Sequence, residues 1–370
     1  MRRQHFEVLK PICPVCATLN QGDGHRLTIA SIEHETRDRI VQGLLHCSNA
    51  LCLSEFPIID GIPIILPRLR GYIGENLFPI YARGDLSAIN ESLIGDCCSQ
   101  NSQLDTMRQH QSCYAWDHYA EFDPKESAGP TQPGSIARIL RHGLSLAANF
   151  SECDGPSLDV GCSVGRTALE AAEVTGRLVL GIDLNFSMLR LAASVLDNGR
   201  VTYPRRRNGL VYDRRSFDVP FARSELVDFW ACDATALPFA SQTFSSAVTM
   251  NVLDSVASPA ELTLSLARVL RPLGRLLMAC PYDWAVSVTP VEAWLGGHSQ
   301  RSSEQGDCLP SVRRLLTARS EDRLPAFQIL NEVDGLVWTV RMHERSTMHY
   351  QLHLIDARRS EIIIDQVDQK

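Results

Sequence analysis

The sequence lacks a long uninterrupted hydrophobic segment. Its longest apolar stretch, Phe56 to Leu66, is interrupted by two prolines, an aspartate and a glycine. A membrane-spanning helix needs about 20 consecutive apolar residues. The amino-terminal residues MRRQHFEVLKPICPVC are basic but contain no apolar core of signal-peptide length. The sequence therefore predicts a cytoplasmic protein that does not bind a membrane.

An excess of positive charge is also absent. The 370 residues include 36 lysines and arginines against 43 aspartates and glutamates, which gives a formal net charge of -7. This charge provides no general attraction to nucleic acid or to an anionic membrane surface. The sequence contains no internal repeat, and its length is sufficient for two domains with a sizeable core.

Twelve cysteines are present, and four of them form two pairs. The pairs are Cys13-Pro-Val-Cys16 and Cys47-x4-Cys52, and each adjoins β-like sequence. Two cysteine pairs brought together form a tetrahedral thiolate site suited to structural zinc. His46 is an alternative ligand, and four unliganded cysteines in a core are an alternative interpretation. Because a chain of this length needs no disulfides, we expect reduced thiols and one zinc site.

The pattern of residues predicts four regions. Residues 1–66 contain the paired cysteines and short β-like runs, and residues 67–150 are helical and polar. Residues 151–358 alternate between apolar strands and amphipathic helices, several of which end at glycine. This alternation predicts an α/β fold with a doubly wound, mostly parallel sheet. Residues 359–370 are predicted to be a tail.

A small-residue turn follows the first strand of the third region, at Leu158–Arg166. A dinucleotide fingerprint would need glycine at the first, third and sixth positions, but serine and arginine stand at two of them. A nucleophile elbow, G-x-S-x-G, fits Gly161, Ser163 and Gly165. A hydrolase would also need a histidine, for which His298 or His343 is available. It would have no need of the acidic residues that end this strand and the next.

The third interpretation is the cofactor loop of class I S-adenosylmethionine-dependent methyltransferases, which the turn resembles. That family has an acidic-x-Gly-x-Gly-x-Gly loop, matched here by Asp159, Gly161, Ser163 and Gly165, with Arg166 opening the next helix. The resemblance implies a Rossmann-like class I methyltransferase fold. It also implies that the loop backbone lies against the methionine part of S-adenosylmethionine.

Later segments match the same family in its order. Asp183-Leu184 corresponds to the acidic segment that binds the ribose hydroxyls, and Asp233-Ala234 corresponds to the adenine-contacting segment. Asn251 ends the fourth strand, where the family places the methyl group. The alternative is that the aspartates only cap the helices that follow them. That explanation accounts poorly for three aspartates at successive strand ends.

A closer resemblance extends over residues 158–357. The segments DVGCSVGRTALE, RNGLVYDRRSF, PYDW and TPVEAWLGG resemble the methyltransferase domain of ovothiol synthase. That domain methylates an imidazole nitrogen of a mercaptohistidine. A cysteine-rich segment stands here in place of the iron-dependent portion of that enzyme, so the resemblance implies a small heteroaromatic or thiol acceptor in general terms.

The candidate substrate-side residues follow the strand that ends near Cys280. Tyr282, Asp283, Trp294 and His298 are predicted to be catalytic, because loops after such strands line the substrate cleft. The tryptophans in this segment are equally explained as packing residues. A preceding segment, Arg108–Tyr119, is predicted either to cover the cofactor or to pack as an amphipathic helix.

The cysteine-rich segment resembles a known family as well. The first C-x2-C pair and the later Phe56–Pro63 segment, FPIIDGIP, resemble the zinc-ribbon proteins of the Trm112 family. Members of that family act as partners or activators of methyltransferases. The resemblance implies a small β-rich zinc-ribbon-like domain at residues 1–66.

The sequence therefore predicts an S-adenosylmethionine-dependent methyltransferase with a structural zinc that acts on a small molecule. The acceptor class implied is an imidazole nitrogen or a thiol of a histidine-derived compound. One alternative is a methyltransferase of rRNA or tRNA bases, for which the basic residues Arg205–Arg207, Arg214 and Arg215 are phosphate-contact candidates. Another alternative is a non-catalytic scaffold. The sequence does not indicate an oligomeric state.

Overall fold

The computed structural model describes residues 1–19, 24–126, 129, 131–146, 154–317 and 327–361. The predicted boundary at residue 150 and most of the predicted tail 359–370 lie outside these residues. The helices are α1 (Arg3–Leu9), α2 (Pro14–Leu19), α3 (Leu69–Glu75), α4 (Leu77–Tyr81), α5 (Ala88–Asp96), α6 (Gln103–Tyr119), α7 (Ser135–Leu146), α8 (Arg166–Thr175), α9 (Phe186–Asn198), α10 (Pro259–Val269) and α11 (Leu309–Thr317).

The strands fall into two groups. Those of the first group are β1 (Leu27–Glu35), β2 (Ile40–Cys47), β3 (Glu55–Ile59) and β4 (Ile62–Ile65). Those of the second group are β5 (Ser157–Val160), β6 (Val179–Asp183), β7 (Arg200–Asn208), β8 (Val211–Asp218), β9 (Val227–Cys232), β10 (Phe244–Met250), β11 (Leu270–Cys280), β12 (Phe327–His343) and β13 (Ser346–Arg359).

Within the described residues, eleven strands form one sheet in the order β1-β2-β3-β4-β9-β6-β5-β10-β11-β13-β12. The strands from β4 to β11 in this order pair in parallel, and β13 runs antiparallel to both β11 and β12. The prediction of a doubly wound, mostly parallel α/β fold is therefore confirmed. The chain builds β5, β6 and β9 in one direction and then crosses to β10, so the strand order reverses between β5 and β10. Ligands bind in such folds outside the carboxyl ends of the strands at this point.

Local sequence explains the strand and helix boundaries. Every residue of β5, β9 and β10 is buried, which is the pattern expected when helices cover both faces of a parallel sheet. Asn185 caps α9 by accepting a hydrogen bond from the Met188 amide. The glycines predicted to end α8 and α9, Gly176 and Gly199, adopt the left-handed conformation at the two helix C-termini.

The amino-terminal strands join the main sheet. Strands β1 to β4 form an antiparallel meander, and β4 then pairs in parallel with β9. In that pairing Ile65 lies opposite Cys232. The Ile12 amide also donates a hydrogen bond of 2.9 Å to the carbonyl of Pro238. The cysteine-rich segment and the α/β fold therefore share one sheet.

Helix α6 connects the helical region to the main fold. At its C-terminal end the Tyr119 hydroxyl donates a 2.6 Å hydrogen bond to the Val164 carbonyl in the small-residue turn. The inserted hairpin β7–β8 packs against the other part of α6, where the Tyr212 hydroxyl donates to Asp105 over 2.9 Å. No helix in the described ranges has the length and apolar character required to cross a membrane.

Candidate functional site

A cavity of about 710 Å³ opens at the carboxyl ends of β5, β6, β9 and β10. Four groups of residues form its lining. The first group comes from the strand ends and from the turns and helix starts that follow them: Gly161, Ser163, Thr167, Ile182, Asp183, Leu184, Asn185, Met188, Cys232, Asp233, Ala234, Thr235, Met250, Asn251 and Val252. The others are the loop residues Ser255, Val256, Ala257, Ser287 and Val288, the α6 residues His110, Tyr114 and His118, and Ile136 with Trp338. The predicted cofactor segments therefore meet at one site.

The backbone conformation of the small-residue turn explains why glycine is favoured at its positions. Gly161, Ser163 and Gly165 all have positive φ, at 71°, 51° and 90°. A side chain at Gly161 would place its Cβ 2.3 Å from Cγ2 of Val252. Ser163 occupies the middle position although a side chain is rarely found in this backbone conformation. The turn therefore holds a strained residue beside the cavity, and such residues cluster at ligand sites.

The tightest part of the turn yields a stability prediction. Gly165→Ala would place Cβ 2.5 Å from the ring of Phe229 and 2.8 Å from Cβ of Ala192, at a φ of +90°. We expect a loss of about 3 kcal/mol in the free energy of unfolding, measured by chemical denaturation, because overpacking adds to backbone strain. Gly199→Ala is the matched control, since its φ is +61° and no atom lies within 4 Å of its Cβ position. It should cost about 1 kcal/mol from strain alone, and equal losses in both variants would contradict this account.

Asp183 joins the turn to the next strand end. Its Oδ2 accepts a hydrogen bond from the Ser163 amide and its Oδ1 accepts one from the Asn185 amide, each over 2.8 Å. Burial raises the pKa of this carboxyl above its usual value. Each carboxylate oxygen can accept more than one hydrogen bond, so Asp183 keeps acceptor capacity toward the cavity.

Asp159, Gly165 and Arg166 do not line the cavity, although the sequence predicted all three as cofactor-binding residues. Asp159 is buried beneath the turn, accepts a 2.6 Å hydrogen bond from the Thr167 hydroxyl, and has its pKa raised by burial to about 7. The Arg166 side chain forms ion pairs with Glu121 and Glu170. Its guanidinium is therefore already paired within the protein, and the predicted contact with the cofactor stays a prediction.

The third strand end carries the predicted adenine segment. Asp233 caps a short 3-10 helix by accepting hydrogen bonds from the amide and hydroxyl of Thr235, over 2.8 and 2.7 Å. Ala234 lines the cavity beside it. Asp233 thus has the capping role considered as an alternative and also borders the cavity, so the two interpretations are compatible.

Among the described residues that line the cavity, three fully buried side-chain atoms have no hydrogen-bond partner. They are Ser163 Oγ, Asn251 Oδ1 and His118 Nδ1. Asn251 has a positive φ of 59°. Burial and the neighbouring Arg166 lower the pKa of His118 to about 3, so its imidazole is uncharged. Buried polar atoms without partners in the protein are the atoms that a polar ligand is expected to satisfy.

One face of helix α6 forms part of the cavity lining, and none of its residues was among the predicted site residues. His110, Tyr114 and His118 are spaced by four residues, so they project from the same side of the helix and line the cavity together. The sequence pattern around Arg108–Tyr119 supported a covering helix and a packing helix equally. Three residues of the helix line the cavity, and its function as a cover for the cofactor stays a prediction.

The predicted catalytic residues lie outside the cavity lining. The Tyr282 hydroxyl lies 2.7 Å from His353 Nδ1, and the Asp283 amide donates to Asp254 over 2.7 Å. Trp294 stacks on Trp284, with ring centroids 6.1 Å apart. These contacts anchor the loop that follows β11.

The tip of that loop reaches the cavity instead. Thr289 is fully buried, and its hydroxyl donates to the carbonyl of Val256 over 2.7 Å. Ser287 and Val288, just before it, therefore line the cavity. His298 is exposed further along the loop. The sequence identified the correct loop, but the turn geometry that decides which residues face inward was not readable from it.

The four paired cysteines come together as the spacing predicted. The sulfur atoms of Cys13, Cys16, Cys47 and Cys52 all lie within 4.8 Å of one another. The Cys13–Cys52 and Cys16–Cys47 sulfur distances are 3.8 and 3.7 Å. Sulfurs about 2.3 Å from a tetrahedral zinc are separated by about 3.8 Å, so this donor set fits zinc. The alternative ligand His46 is exposed on β2.

Comparison with known proteins agrees with this geometry. Residues 158–278 match a family described as methyltransferase domain. Methyltransferase GfsG from Streptomyces halstedii is 31% identical over 188 residues, which cover 50% of this chain and 56% of that protein. The chain thus spans only about half the length of this curated relative.

Solved structures similar to this chain include two S-adenosylmethionine-dependent methyltransferases. The one from Methanosarcina mazei is 21% identical, covers 58% of this chain and 97% of its own, and has a TM-score of 0.37. The one from Mesorhizobium loti is 18% identical, covers 61% of this chain and 98% of its own, and has a TM-score of 0.36. The family match extends from β5 into β11, so it covers the strands whose carboxyl ends form the cavity.

Proposed function

We propose that the protein transfers a methyl group from S-adenosylmethionine to a small molecule. One observation carries this proposal: the carboxyl ends of four adjacent strands contribute complementary groups to a single cavity. Asp233 follows β9, Asp183 ends β6, the small-residue turn follows β5, and Asn251 follows β10. A fold match alone would not carry a function, but this arrangement of side chains supports one.

The strand order gives the cofactor a direction along the sheet. The adenine is proposed to lie at the end of β9 beside Asp233 and Ala234, and the ribose at the end of β6 beside Asp183. The sulfur and the amino-acid part then lie at the ends of β5 and β10. The unpartnered atoms of Ser163, His118 and Asn251 are in this last part of the cavity, where they would meet the charged groups of a methionine moiety.

The charge of the cavity suits a cationic ligand. Within the described part of the chain, the lining includes the carboxyl groups of Asp183 and Asp233 and no lysine or arginine. When bound, S-adenosylmethionine supplies a methyl group on a positively charged sulfur. The residues of the chain contribute mainly by holding acceptor and methyl group in line, an effect that can account for several kcal/mol of the barrier.

The acceptor is proposed to be a small molecule, with the imidazole nitrogen or thiol of a histidine-derived compound as the first candidate. The resemblance of DVGCSVGRTALE and PYDW to ovothiol synthase supports this choice. Residues 1–66 are proposed to be a Trm112-like domain built around structural zinc. The cysteine geometry and the pairing of β4 with β9 support that assignment.

The alternative of an RNA methyltransferase is less well supported. Of its candidate phosphate contacts, Arg205 lies 3.1 Å from Glu126, Arg214 lies 3.6 Å from Glu91 and Arg215 lies 2.5 Å from Asp123. Arginines already paired with carboxylates are poor at releasing counterions from a nucleic acid. The hydrolase interpretation needs a histidine bonded to the serine nucleophile, and Ser163 Oγ has no such partner among the described residues.

Two measurements test the proposal. Calorimetry with S-adenosylhomocysteine should give one site per chain, and transfer of a labelled methyl group should be detected in a panel of small thiols, imidazoles and structured RNAs. We expect label in small molecules and none in RNA. Binding without transfer to any acceptor would favour a scaffold, and label in RNA that falls steeply with salt would favour the rival enzyme.

A further inference from the structure

One wall of the cavity is aromatic and lies toward the β12 edge of the sheet. It is formed by the aromatic rings of Tyr114 on α6 and Trp338 on β12, with the aliphatic side chain of Ile136 at the start of α7 beside them. We call these three residues the aromatic wall. The ring centroids of Tyr114 and Trp338 are 6.2 Å apart, and 7% of Trp338 is exposed. The cofactor path at β9 and β6 lies on the opposite side of the β5–β10 reversal. The aromatic wall is therefore available to a second ligand.

Asp117 fixes the geometry of this wall. One carboxylate oxygen accepts hydrogen bonds from the amide and hydroxyl of Ser135, each over 2.7 Å. The other accepts from the Ile136 amide over 3.2 Å and from Trp338 Nε1 over 3.1 Å. A buried carboxylate that receives four donors from α7 and β12 holds both cavity-lining side chains in one orientation. Asp117 is thus a positioning residue for the wall.

The polar side chains of Tyr114 and His118, which α6 places at the wall, are uncharged. Burial raises the pKa of Tyr114 to about 12, so its hydroxyl stays protonated. The His118 imidazole one turn further along α6 is uncharged. The lining described above contains no cationic side chain that could pair with a phosphate or a carboxylate, and burying such an anion without a partner would be costly.

We propose that the aromatic wall is the acceptor subsite and that it takes an uncharged flat ring, aromatic or heteroaromatic, whose nucleophilic atom is directed at the β5–β10 end of the cavity. This inference rests on the proposed function and specifies its substrate class. In the transfer, the bond from the methyl carbon to sulfur breaks and its electron pair stays on sulfur. A bond forms between the methyl carbon and a lone pair on a ring nitrogen, or on an oxygen or sulfur attached to the ring, and the methylated cation then loses a proton to solvent. A neutral imidazole or a thiol attached to an aromatic ring belongs to this class. A nucleotide does not, because it carries a phosphate.

A matched ligand pair tests the subsite by binding. Calorimetry would compare 2-mercaptobenzimidazole with its 5-carboxylate derivative, each added to the protein saturated with S-adenosylhomocysteine. We expect the uncharged ring to bind at least about tenfold more tightly, because the carboxylate must be desolvated without a cationic partner. Trp338→Leu should weaken binding of the uncharged ring about tenfold and leave the affinity for S-adenosylhomocysteine within about twofold, because stacking area is lost only at the wall.

Tyr81→Leu is the control, because Tyr81 is an exposed ring at the end of α4, outside the cavity lining. It should not change binding of either ring. Tyr114→Leu removes the other ring of the wall and provides an independent test if the Trp338 variant does not fold. Equal binding of the two rings, or unchanged ring binding in both wall variants, would overturn the inference while leaving the proposed function intact. Failure of the parent protein to bind S-adenosylhomocysteine would instead overturn the proposed function.

Discussion

Replacing Asp183 with alanine is expected to weaken binding of S-adenosylmethionine about 100-fold. The proposal places the two ribose hydroxyls as donors to this carboxylate, and hydrogen bonds to a charged group contribute about 1.5–3 kcal/mol each. Loss of two such bonds corresponds to at least about 3 kcal/mol, or roughly 100-fold in the dissociation constant. Isothermal calorimetry with S-adenosylhomocysteine, which has the same ribose, measures the change without turnover.

A ligand control separates the ribose contact from a general loosening of the turn. Asp183 also accepts from the Ser163 and Asn185 amides, so its removal affects the backbone as well. An analogue of S-adenosylhomocysteine without ribose hydroxyls should bind the parent weakly and lose little more in Asp183→Ala. Asp218→Ala removes the same charge from an exposed position on β8 and should leave binding unchanged. Equal losses for both ligands would assign Asp183 a purely structural role.

Much of the fold was predictable because its signals are local. Fully apolar runs such as that of β10 mark buried parallel strands, and the glycines that end α8 and α9 mark helix C-termini. The pairing of β4 with β9 was not predictable, because it joins residues 167 positions apart in the register Ile65–Cys232. No spacing rule within either segment specifies the other as its partner.

The candidate site also combines residues that have a local sequence signal with residues that long-range contacts bring to it. Gly161, Asp183, Asp233 and Asn251 line the cavity because strand ends of a parallel sheet meet at one edge. Trp338 was not identified, since it comes from the distant strand β12 and is held at the cavity by tertiary contacts with Asp117 and Tyr114. The sequence around Trp338 contains no motif that indicates a site. The four-residue spacing of His110, Tyr114 and His118 was the available signal for the α6 face.

The second large effect is expected at the four-cysteine site. Cys13→Ser should abolish stoichiometric zinc, measured by mass spectrometry, because a structural site uses all four thiolates. Zinc binding contributes to the folding free energy of small metal domains, so we expect the thermal midpoint to fall by about 10 °C. Cys97→Ser is the matched control, since Cys97 is exposed on the C-terminal side of α5, outside the cluster. It should change neither the zinc content nor the midpoint.

The loss of zinc should also weaken binding in the cofactor cavity. Ile12, beside the first zinc-ligand candidate, donates its amide hydrogen to Pro238, and Ile65 pairs with the cavity residue Cys232. Both contacts hold the segment that contains Asp233. We expect affinity for S-adenosylhomocysteine to fall about fivefold in Cys13→Ser, at the low end of typical coupling between sites. By reciprocity, saturating S-adenosylhomocysteine should raise the affinity for zinc by the same factor of about five, measured by equilibrium competition with a chelator. Unchanged affinity in a folded, zinc-free variant would mean that the amino-terminal strands support the sheet but do not position the adenine segment.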